Sequence, residues 1–454
     1  MKVLLVYPYL RDVFHKLGFL LPPLGLGYLA AAAKREGYDV DVCDQNLDSA
    51  GNLPNLTSYD VVGISLDTSR YNGAMAIARA ATDKGATVVM GGPHATFVAD
   101  DILSDGTARY IVRGEGEETF VRLLDCLSAG KDAAAIDGVS FLRGGRVVHT
   151  PDRPPPHNLD VLPYPDREAL NINRYKSLLL GGRAITSMIT SRGCPFNCGF
   201  CSSTVFSGAA WRSRSPSGVL DEIESIVKDF DFGAVCFMDD NFTMNPRRVI
   251  DIAEGLMARH LDIFWWCFSR GDIIIKNEDM VRHMARSGCR YVFMGLETTN
   301  DSILEGCEKT MKSADSVLAI EMLKDYGIET MGSFIIGWPA ETRQMIKETI
   351  RFSKRIGLGG AQFSILTPYP GTAIYEKYRN RIIERDWEKF DCFHPVMKLD
   401  YLSPTDVQRM LRRAFFSFYF TPERILSALV SPFRGRGVGL STIKKIWDYF
   451  TRTR

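Results

Sequence analysis

The sequence predicts an α/β protein made of two successive parallel sheets and a mainly helical C-terminal part. Three observations carry this. Over residues 1–135, short apolar runs alternate with stretches of helical length, the pattern of a doubly wound parallel sheet. Over 184–385, six further strand-then-helix units follow one another. Between them, over 136–183, Pro151, Pro154, Pro155, Pro156, Pro163 and Pro165 exclude regular helix and central strand and mark an extended connection. Residues 386–454 form the remaining, helical part.

The 454 residues suffice for two or three domains. Hydrophobic content of 45%, charged content of 24% and a net charge of +1 give no bias toward nucleic acid. The first ten residues lack the length of a signal-peptide core and read as a strand. No apolar run reaches eighteen residues, so no transmembrane segment is expected. Ten scattered cysteines do not make a secreted disulfide scaffold and fit a reducing, oxygen-poor cytoplasm.

In the first unit, strands are expected at 2–7, 38–43, 61–65, 87–91 and 110–113. Helices are expected at 24–36, 73–84 and from Glu117. Ligands of such sheets sit beyond the C-terminal strand ends. The loops there read Pro22-Pro23-Leu24-Gly25, Ser65-Leu66-Asp67-Thr68, Gly91-Gly92-Pro93-His94 and Gly114-Glu115-Gly116. Their glycines let backbone approach a ligand closely. They do not form G-x-G-x-x-G, which weakens a dinucleotide reading. In the connection, 138–148 reads as a hairpin around Gly144-Gly145, and Leu159, Leu162 and Tyr164 are spaced for packing.

The second unit opens with a strand at 184–190 and then Cys194, Cys198 and Cys201 in C-x3-C-x2-C spacing. Three thiolates on one short loop can hold three irons of a [4Fe–4S] cluster and leave the fourth iron open. A zinc site is the alternative, but it needs a fourth Cys or His, and the next thirty residues hold neither. Five more strands are expected at 234–238, 264–268, 291–294, 329–336 and 361–366. In the last part, from Tyr401 onward, ten Lys and Arg face three acids, and Phe415, Phe416, Phe418, Tyr419 and Phe420 are too dense for one helical stripe. A helix closing the barrel mouth is expected there, with a lipidic docking surface as the alternative.

The cysteine loop, with Phe200 before the last cysteine, resembles the signature of the radical S-adenosylmethionine (SAM) enzymes. The six strand-helix units resemble that family's partial (β/α)6 TIM barrel, whose sites lie at C-terminal strand ends. The resemblance implies that the open iron chelates SAM and that Phe200 lies against the adenine. Asp240 and Asn241 would accept the SAM ammonium; capping of the helix starting at Pro246 is the alternative role, more so for Asn241. Arg270 would pair with the SAM carboxylate. Glu297 would bind ribose hydroxyls or the ammonium. Backbone near Ile336 would pack the adenine, in a segment where Phe334 replaces the family's isoleucine. Trp211 to Pro216 and Lys309-Thr310 are further candidates for bringing cations to SAM or corrin.

The four glycine-rich loops resemble the Rossmann-like cobalamin-binding domain that precedes many radical SAM domains. That resemblance implies cobalamin contacts from Pro23, Leu24, Gly25, Ser65, Leu66, Asp67, Thr68, Gly91, Gly92, His94, Gly114, Glu115 and Gly116. The lower corrin face would meet the 65–70 loop. His94 would hydrogen-bond the cofactor's tail or backbone. Classical cobalamin domains carry D-x-H-x-x-G. Here Asp12 and His15 depart from that spacing, so His15 as a cobalt ligand is not expected.

Together the motifs resemble the cobalamin-dependent, class B radical SAM methyltransferases. The implied chemistry is C-methylation: one SAM methylates cobalamin to methylcobalamin, and a second, cleaved at the cluster, activates an unactivated sp3 carbon. An external electron donor is required. A peptide or protein substrate is expected, in keeping with a likeness to archaeal enzymes that methylate a glutamine of methyl-coenzyme M reductase. A lipid or small molecule is the alternative, as is a cyclase, ring-contracting or carbon–carbon coupling enzyme. A methylthiotransferase would need three further N-terminal cysteines, where only Cys43 and Cys126 stand.

Overall fold

The computed structural model describes residues 1–10, 20–47, 52–426, 428 and 440–452. Asp12 and His15 lie outside the described residues. The first sheet contains β1 (Lys2–Tyr7), β2 (Asp39–Asp44), β3 (Val61–Ser65), β4 (Thr87–Gly91), β5 (Tyr110–Val112), β6 (Val139–Arg143) and β7 (Arg146–His149). Their spatial order is β2-β1-β3-β4-β5-β6-β7. The first five are parallel. The chain leaves β1 toward β2 on one side and returns with β3 on the other, so the topological switch falls at β1/β3.

The hairpin assigned by sequence to the connection belongs instead to this sheet. β6 pairs antiparallel with β5 and β7 with β6. Phe141 packs on Tyr110 with ring centroids 6.1 Å apart. The hairpin thereby covers the edge that β5 would otherwise expose.

The connection then straps the two units together. Gly27, in the helix Leu24–Arg35, leaves room for it: a Cβ there would lie 2.8 Å from Leu170 and 3.0 Å from Pro165. The Tyr175 hydroxyl, fully buried, donates to Asp44 at the end of β2 (2.6 Å). Arg167 donates to Glu222 (2.8 Å), and Arg214 donates to the other oxygen of the same carboxylate (2.5 Å). All three side chains are at most 4% exposed.

The second sheet is a half-barrel of order β8-β9-β12-β13-β14-β15-β16. Its strands are β8 (Leu179–Leu180), β9 (Arg183–Met188), β12 (Ala234–Phe237), β13 (Phe264–Ser269), β14 (Cys289–Glu297), β15 (Glu329–Ile336) and β16 (Gly360–Ile365). β9 and β12 to β16 are mutually parallel. Two short strands, β10 (Ser191–Arg192) and β11 (Arg212–Ser213), form a separate antiparallel ribbon. Side chains alternate along the half-barrel as a pleat requires. Trp265, Cys267, Val292, Met294 and Phe334 are buried in the core shared with the outer helices. Trp266, Phe268, Phe293, Met331 and Ile335 take the alternate, concave face and are half-buried.

The C-terminal helix Pro404–Tyr419 lies against β16, at the open edge of the half-barrel, not across its mouth. The Tyr419 hydroxyl donates to the Ala361 carbonyl (2.7 Å) and accepts from the Ala361 N–H (3.0 Å). The Cys392 carbonyl accepts from Ile365 N–H (2.6 Å). The aromatic density has a packing cause. Phe415 and Phe418 meet Phe363 of β16, while Phe416 and Phe420 meet Trp447 of the helix Leu440–Arg452.

The buried Arg167–Glu222–Arg214 triad gives a stability prediction. Glu222→Ala leaves two buried guanidiniums without their carboxylate and costs about 3–5 kcal/mol. Urea unfolding followed by circular dichroism should show an earlier transition; an unchanged midpoint would refute the role of the triad.

Candidate active site at the domain boundary

The cysteine loop hangs from the β10–β11 ribbon. Asp239 fixes the approach to it by accepting from Thr190 N–H (2.6 Å), Thr190 Oγ1 (2.5 Å) and Ser191 Oγ (2.6 Å). Gly193 has φ 83°, and a Cβ there would strike the Ala210 carbonyl. Cys194 N–H donates to Gly208 O (3.3 Å), and Cys201 N–H to Cys198 O (2.9 Å). Within the loop, Gly199 N–H donates to Cys307 O (2.9 Å) and Gly199 O accepts from Ile374 N–H (3.0 Å). Asn197 donates to Glu308 (2.8 Å).

The three thiols are half-buried. Burial raises Cys194 and Cys198; Lys309 and Arg270 pull Cys198 back down. Among the described residues, no three His, Cys, Asp or Glu side chains converge closely enough for a single metal ion. Three half-buried thiols on one loop fit ligands to three separate irons of a cluster.

Around the loop, the structure gathers several of the expected SAM residues. Phe200 meets Trp338 edge-on, with centroids 5.7 Å apart. The Arg270 guanidinium lies 3.6 Å from the Phe196 ring centroid and donates to Asp272 (3.0 and 3.1 Å) and Thr310 (3.2 Å). Glu297 ends β14 with φ 58°, a costly conformation for a residue with a side chain and one that clusters at functional sites. It is 5% exposed and accepts from Lys309 Nζ (2.6 Å), which also donates to Gly295 O (2.8 Å). Asp240 opens into the space beside Cys194. Asp240 keeps solvent-accessible surface, yet the protein packed around its carboxyl and the neighbouring Asp239 push it up, against donors from Ser203 and the Gly193 N–H. Asn241 does not cap the following helix; Asn245 does, accepting from Arg248 N–H (3.2 Å). Asn241 instead accepts from Thr243 Oγ1 (3.2 Å). Ile336 is fully buried, and its carbonyl accepts from Leu366 N–H (2.8 Å).

A cavity of about 280 Å³ opens at the C-terminal end of the first sheet. Gly25, Ser65, Gly91, Gly92, Gly114, Glu115 and Gly116 line it, as do Ser191, Arg192, Met238 and Asp240 of the second unit. Gly63 forms part of its floor, where a Cβ would lie 2.7 Å from Leu5. The cavity thus runs from the glycine loops to the stem of the cysteine loop.

Pro23, Leu24, Leu66, Asp67, Thr68 and His94 are not part of this lining. Asp67 accepts from Arg70 (2.9 Å) and Tyr7 (3.5 Å). His94 is 1% exposed, shares a 3.0 Å hydrogen bond with Thr68 and is packed between Tyr71 and Trp387. Burial pushes its imidazole down to about 4.

Between cavity and cluster loop lies an ion-pair network that the sequence did not disclose. Arg192 donates to Glu115 (2.9 Å) and Glu117 (2.6 Å), and Arg212 donates twice to Glu115 (2.5 and 3.2 Å). Burial alone would raise Glu117; Arg192 holds it below its ordinary value. These arginines stand in the ribbon that carries the cysteines. The motif string showed both acids and both arginines, but their meeting across about 75 to 100 residues has no local signal. Cys307 and Glu308, the second cradle of the loop, carried no signal in the sequence.

A glycine-rimmed cofactor cavity facing a three-cysteine loop at a half-barrel mouth defines a B12-binding radical SAM enzyme. Residues 10–124 match the B12 binding domain family, and residues 188–353 match the radical SAM superfamily. The chain is 36% identical over 437 residues to "Uncharacterized methyltransferase PH0819" of Pyrococcus horikoshii, covering 94% of each chain. It is 28% identical to the anaerobic magnesium-protoporphyrin IX monomethyl ester cyclase of Rubrivivax gelatinosus, covering 93% of this chain and 80% of that one. The fold matches TsrM of Kitasatospora setae, solved with cobalamin and a [4Fe–4S] cluster bound. The TM-score is 0.71 at 18% identity, over 93% of this chain and 89% of that one. The chain belongs to the cobalamin-dependent radical SAM methyltransferases, and its cofactors are a [4Fe–4S] cluster, SAM and cobalamin. No helix among the described residues is long and apolar enough to cross a membrane.

Two predictions arise here. Glu115→Gln removes the charge that holds both arginines and part of the cavity wall. It should weaken cobalamin binding about tenfold, the worth of one charged hydrogen bond, and reduce iron loading; unchanged affinity and iron content would contradict this. The second concerns Glu341, which is fully buried and accepts from Gly337 N–H (2.6 Å) and Trp338 N–H (3.3 Å), holding the turn that meets Phe200. Burial raises its carboxyl from 4.5 to about 7. The folded chain then holds this proton more tightly than the unfolded chain. Its contribution is full below about pH 4.5 and is lost as pH rises through about 7. Comparing urea midpoints at several pH values, Glu341→Gln should flatten the decline across that window; parallel curves for variant and parent would rule it out.

Proposed function

We propose that this chain methylates an unactivated sp3 carbon of its substrate at the boundary between the two units. The observation that carries the proposal is the continuity of the glycine-rimmed cavity with the cysteine loop through Arg192 and Asp240. When bound, the three cofactors supply a methyl group carried from SAM on cobalamin and a radical made from SAM at the cluster.

The protein's own contribution is placement. Cys194, Cys198 and Cys201 hold the cluster, and the loop's backbone bonds to Gly208, Cys307 and Ile374 fix its shape. Gly25, Ser65, Gly91, Gly92, Gly114 and Gly116 admit the cobalamin tail. Arg270, planar and already stacked on Phe196, suits the SAM carboxylate. Phe200 presents its ring beside Trp338 for the adenine. Lys309 already neutralises Glu297, which favours ribose hydroxyls over the ammonium as its ligand. Asp240, beside Cys194 and without a lysine or arginine ion pair among the described residues, is the better ammonium acceptor. The chain works in a reducing, oxygen-poor cytoplasm with an external electron donor, the conditions that an open, redox-active iron requires.

A second reading is favoured by one observation. The magnesium-protoporphyrin ester cyclase is similar along 93% of this chain. A cyclase would use the same cofactors without methylating its product. Its porphyrin substrate also favours a small molecule here over the peptide or protein expected from sequence.

Anaerobic turnover with methyl-labelled SAM separates the two. Methylation yields 5′-deoxyadenosine and S-adenosylhomocysteine together, with label in the product. Deoxyadenosine with an unlabelled, converted substrate identifies the cyclase. The joint variant Cys194→Ala, Cys198→Ala, Cys201→Ala should abolish both; retained turnover would remove the radical mechanism.

A further inference from the structure

The concave face of the half-barrel carries a wall that the cofactors do not account for. Trp266 and Phe268 of β13 and Phe293 of β14 form a continuous aromatic patch, with ring centroids 5.2 Å apart for Trp266–Phe268 and 4.9 Å for Phe268–Phe293. Met331 of β15 stands in register beside Phe293. All are half-buried, whereas their neighbours Trp265, Cys267, Val292 and Met294 are buried beneath the outer helices. Trp266 rests on Ile185, Ala234 and Cys236 at one end of the wall; from there toward the C-terminal strand ends, Phe268, Phe293 and Met331 retain accessible apolar surface inside a concave fold, the usual character of a small-molecule site.

Farther along the same face, toward β16, the lining differs. Ser333 of β15 stands in register with Gln362 of β16, and the Gln362 amide donates to Ser364 (3.3 Å). These groups hydrogen-bond but carry no charge. At the N-terminal end of β13, Phe264 is flanked by Arg183 and Arg290, each 4.1 Å from its ring centroid. That end is a polar, cation-closed floor. At the other end lie Gly295, Glu297 and the cysteine loop.

Resting on the methyltransferase reading, we propose that this trough takes the body of a neutral, carbon-rich small molecule, flat or elongated, with an uncharged polar substituent facing Ser333 and Gln362. The aromatic wall stacks against the carbon skeleton. The skeleton's far end then points up the strands toward the cysteine loop, where the reacting carbon must be presented. A peptide is disfavoured by the same surface. Its backbone N–H and C=O groups need partners when buried, and Ser333 and Gln362 are too few to serve a length of chain laid along Trp266, Phe268 and Phe293. Trp266, Phe268, Phe293 and Gln362 are thus specificity-determining residues.

The test uses the protein reconstituted with cluster and cobalamin and the neutral flat dye Nile red as probe. Saturable, blue-shifted binding is expected, displaced by farnesol and not by the neutral hexapeptide Gly-Ser-Gln-Gly-Ser-Gln. Phe268→Gln and Phe293→Gln should each weaken the dye about tenfold or more, and Phe268→Leu should restore most of the affinity. Iron content and cobalamin absorbance, measured on each variant, identify any that failed to fold, for which the Phe268→Leu comparison and the competitor series still decide. Leu426→Gln, at an exposed apolar residue outside the trough, serves as control. The proposal is overturned if the peptide displaces the dye and farnesol does not, if Leu426→Gln weakens the dye as much as Phe268→Gln, or if the dye does not bind. Each of these results leaves the labelled-SAM experiment untouched, so loss of the substrate class is distinguishable from loss of the reaction.

Discussion

The structure depends on one contact between its two halves: the carboxylates Glu115 and Glu117 held by Arg192 and Arg212. Glu115 belongs to the glycine loop after β5, and Arg192 immediately precedes the cysteine loop. The side chains are at most 12% exposed, so solvent screens them little, and each charge would be costly without its partners. The two cofactor-binding loops are therefore fixed to each other directly, not through the length of the connection.

Other features serve that register. The connection is drawn onto the first sheet by Tyr175–Asp44 and onto the second unit by Arg167–Glu222–Arg214. Gly27 lets it lie close. On the far side, Asn72 donates to Asp386 (2.9 Å), and Trp387 covers His94. The C-terminal segment thus bears on the loops of the first unit as well as on β16. His94 takes part in that packing: its ring lies between Tyr71 and Trp387, and its Nδ1 shares a hydrogen bond with Thr68.

Much of the fold was legible. β15 was read to the residue, because its ends are marked by a turn after Tyr326-Gly327 and by Gly337. The three cysteines were legible because their spacing is local. The glycine loops were legible for the same reason, and seven of the thirteen residues they suggested meet in one cavity. What failed was global. The 138–148 hairpin was recognised but assigned to the connection, since nothing in its own residues says that it pairs with β5. The aromatic C-terminal helix was expected over the mouth, yet Tyr419 binds the backbone of an edge strand whose need for a partner exists only once the half-barrel has formed.

By itself the sequence determined the element types, their alternation and the cysteine loop, because strand and helix periodicity, turn residues and ligand spacing are short-range properties of the chain. Only the tertiary structure decided that Arg192 and Arg212 face Glu115 and Glu117, that Lys309 neutralises Glu297, and that Trp266, Phe268 and Phe293 form one half-buried wall. Those outcomes depend on strand order and the direction of the pleat. Both follow from burying apolar faces across the whole molecule, a constraint that no single stretch of residues contains.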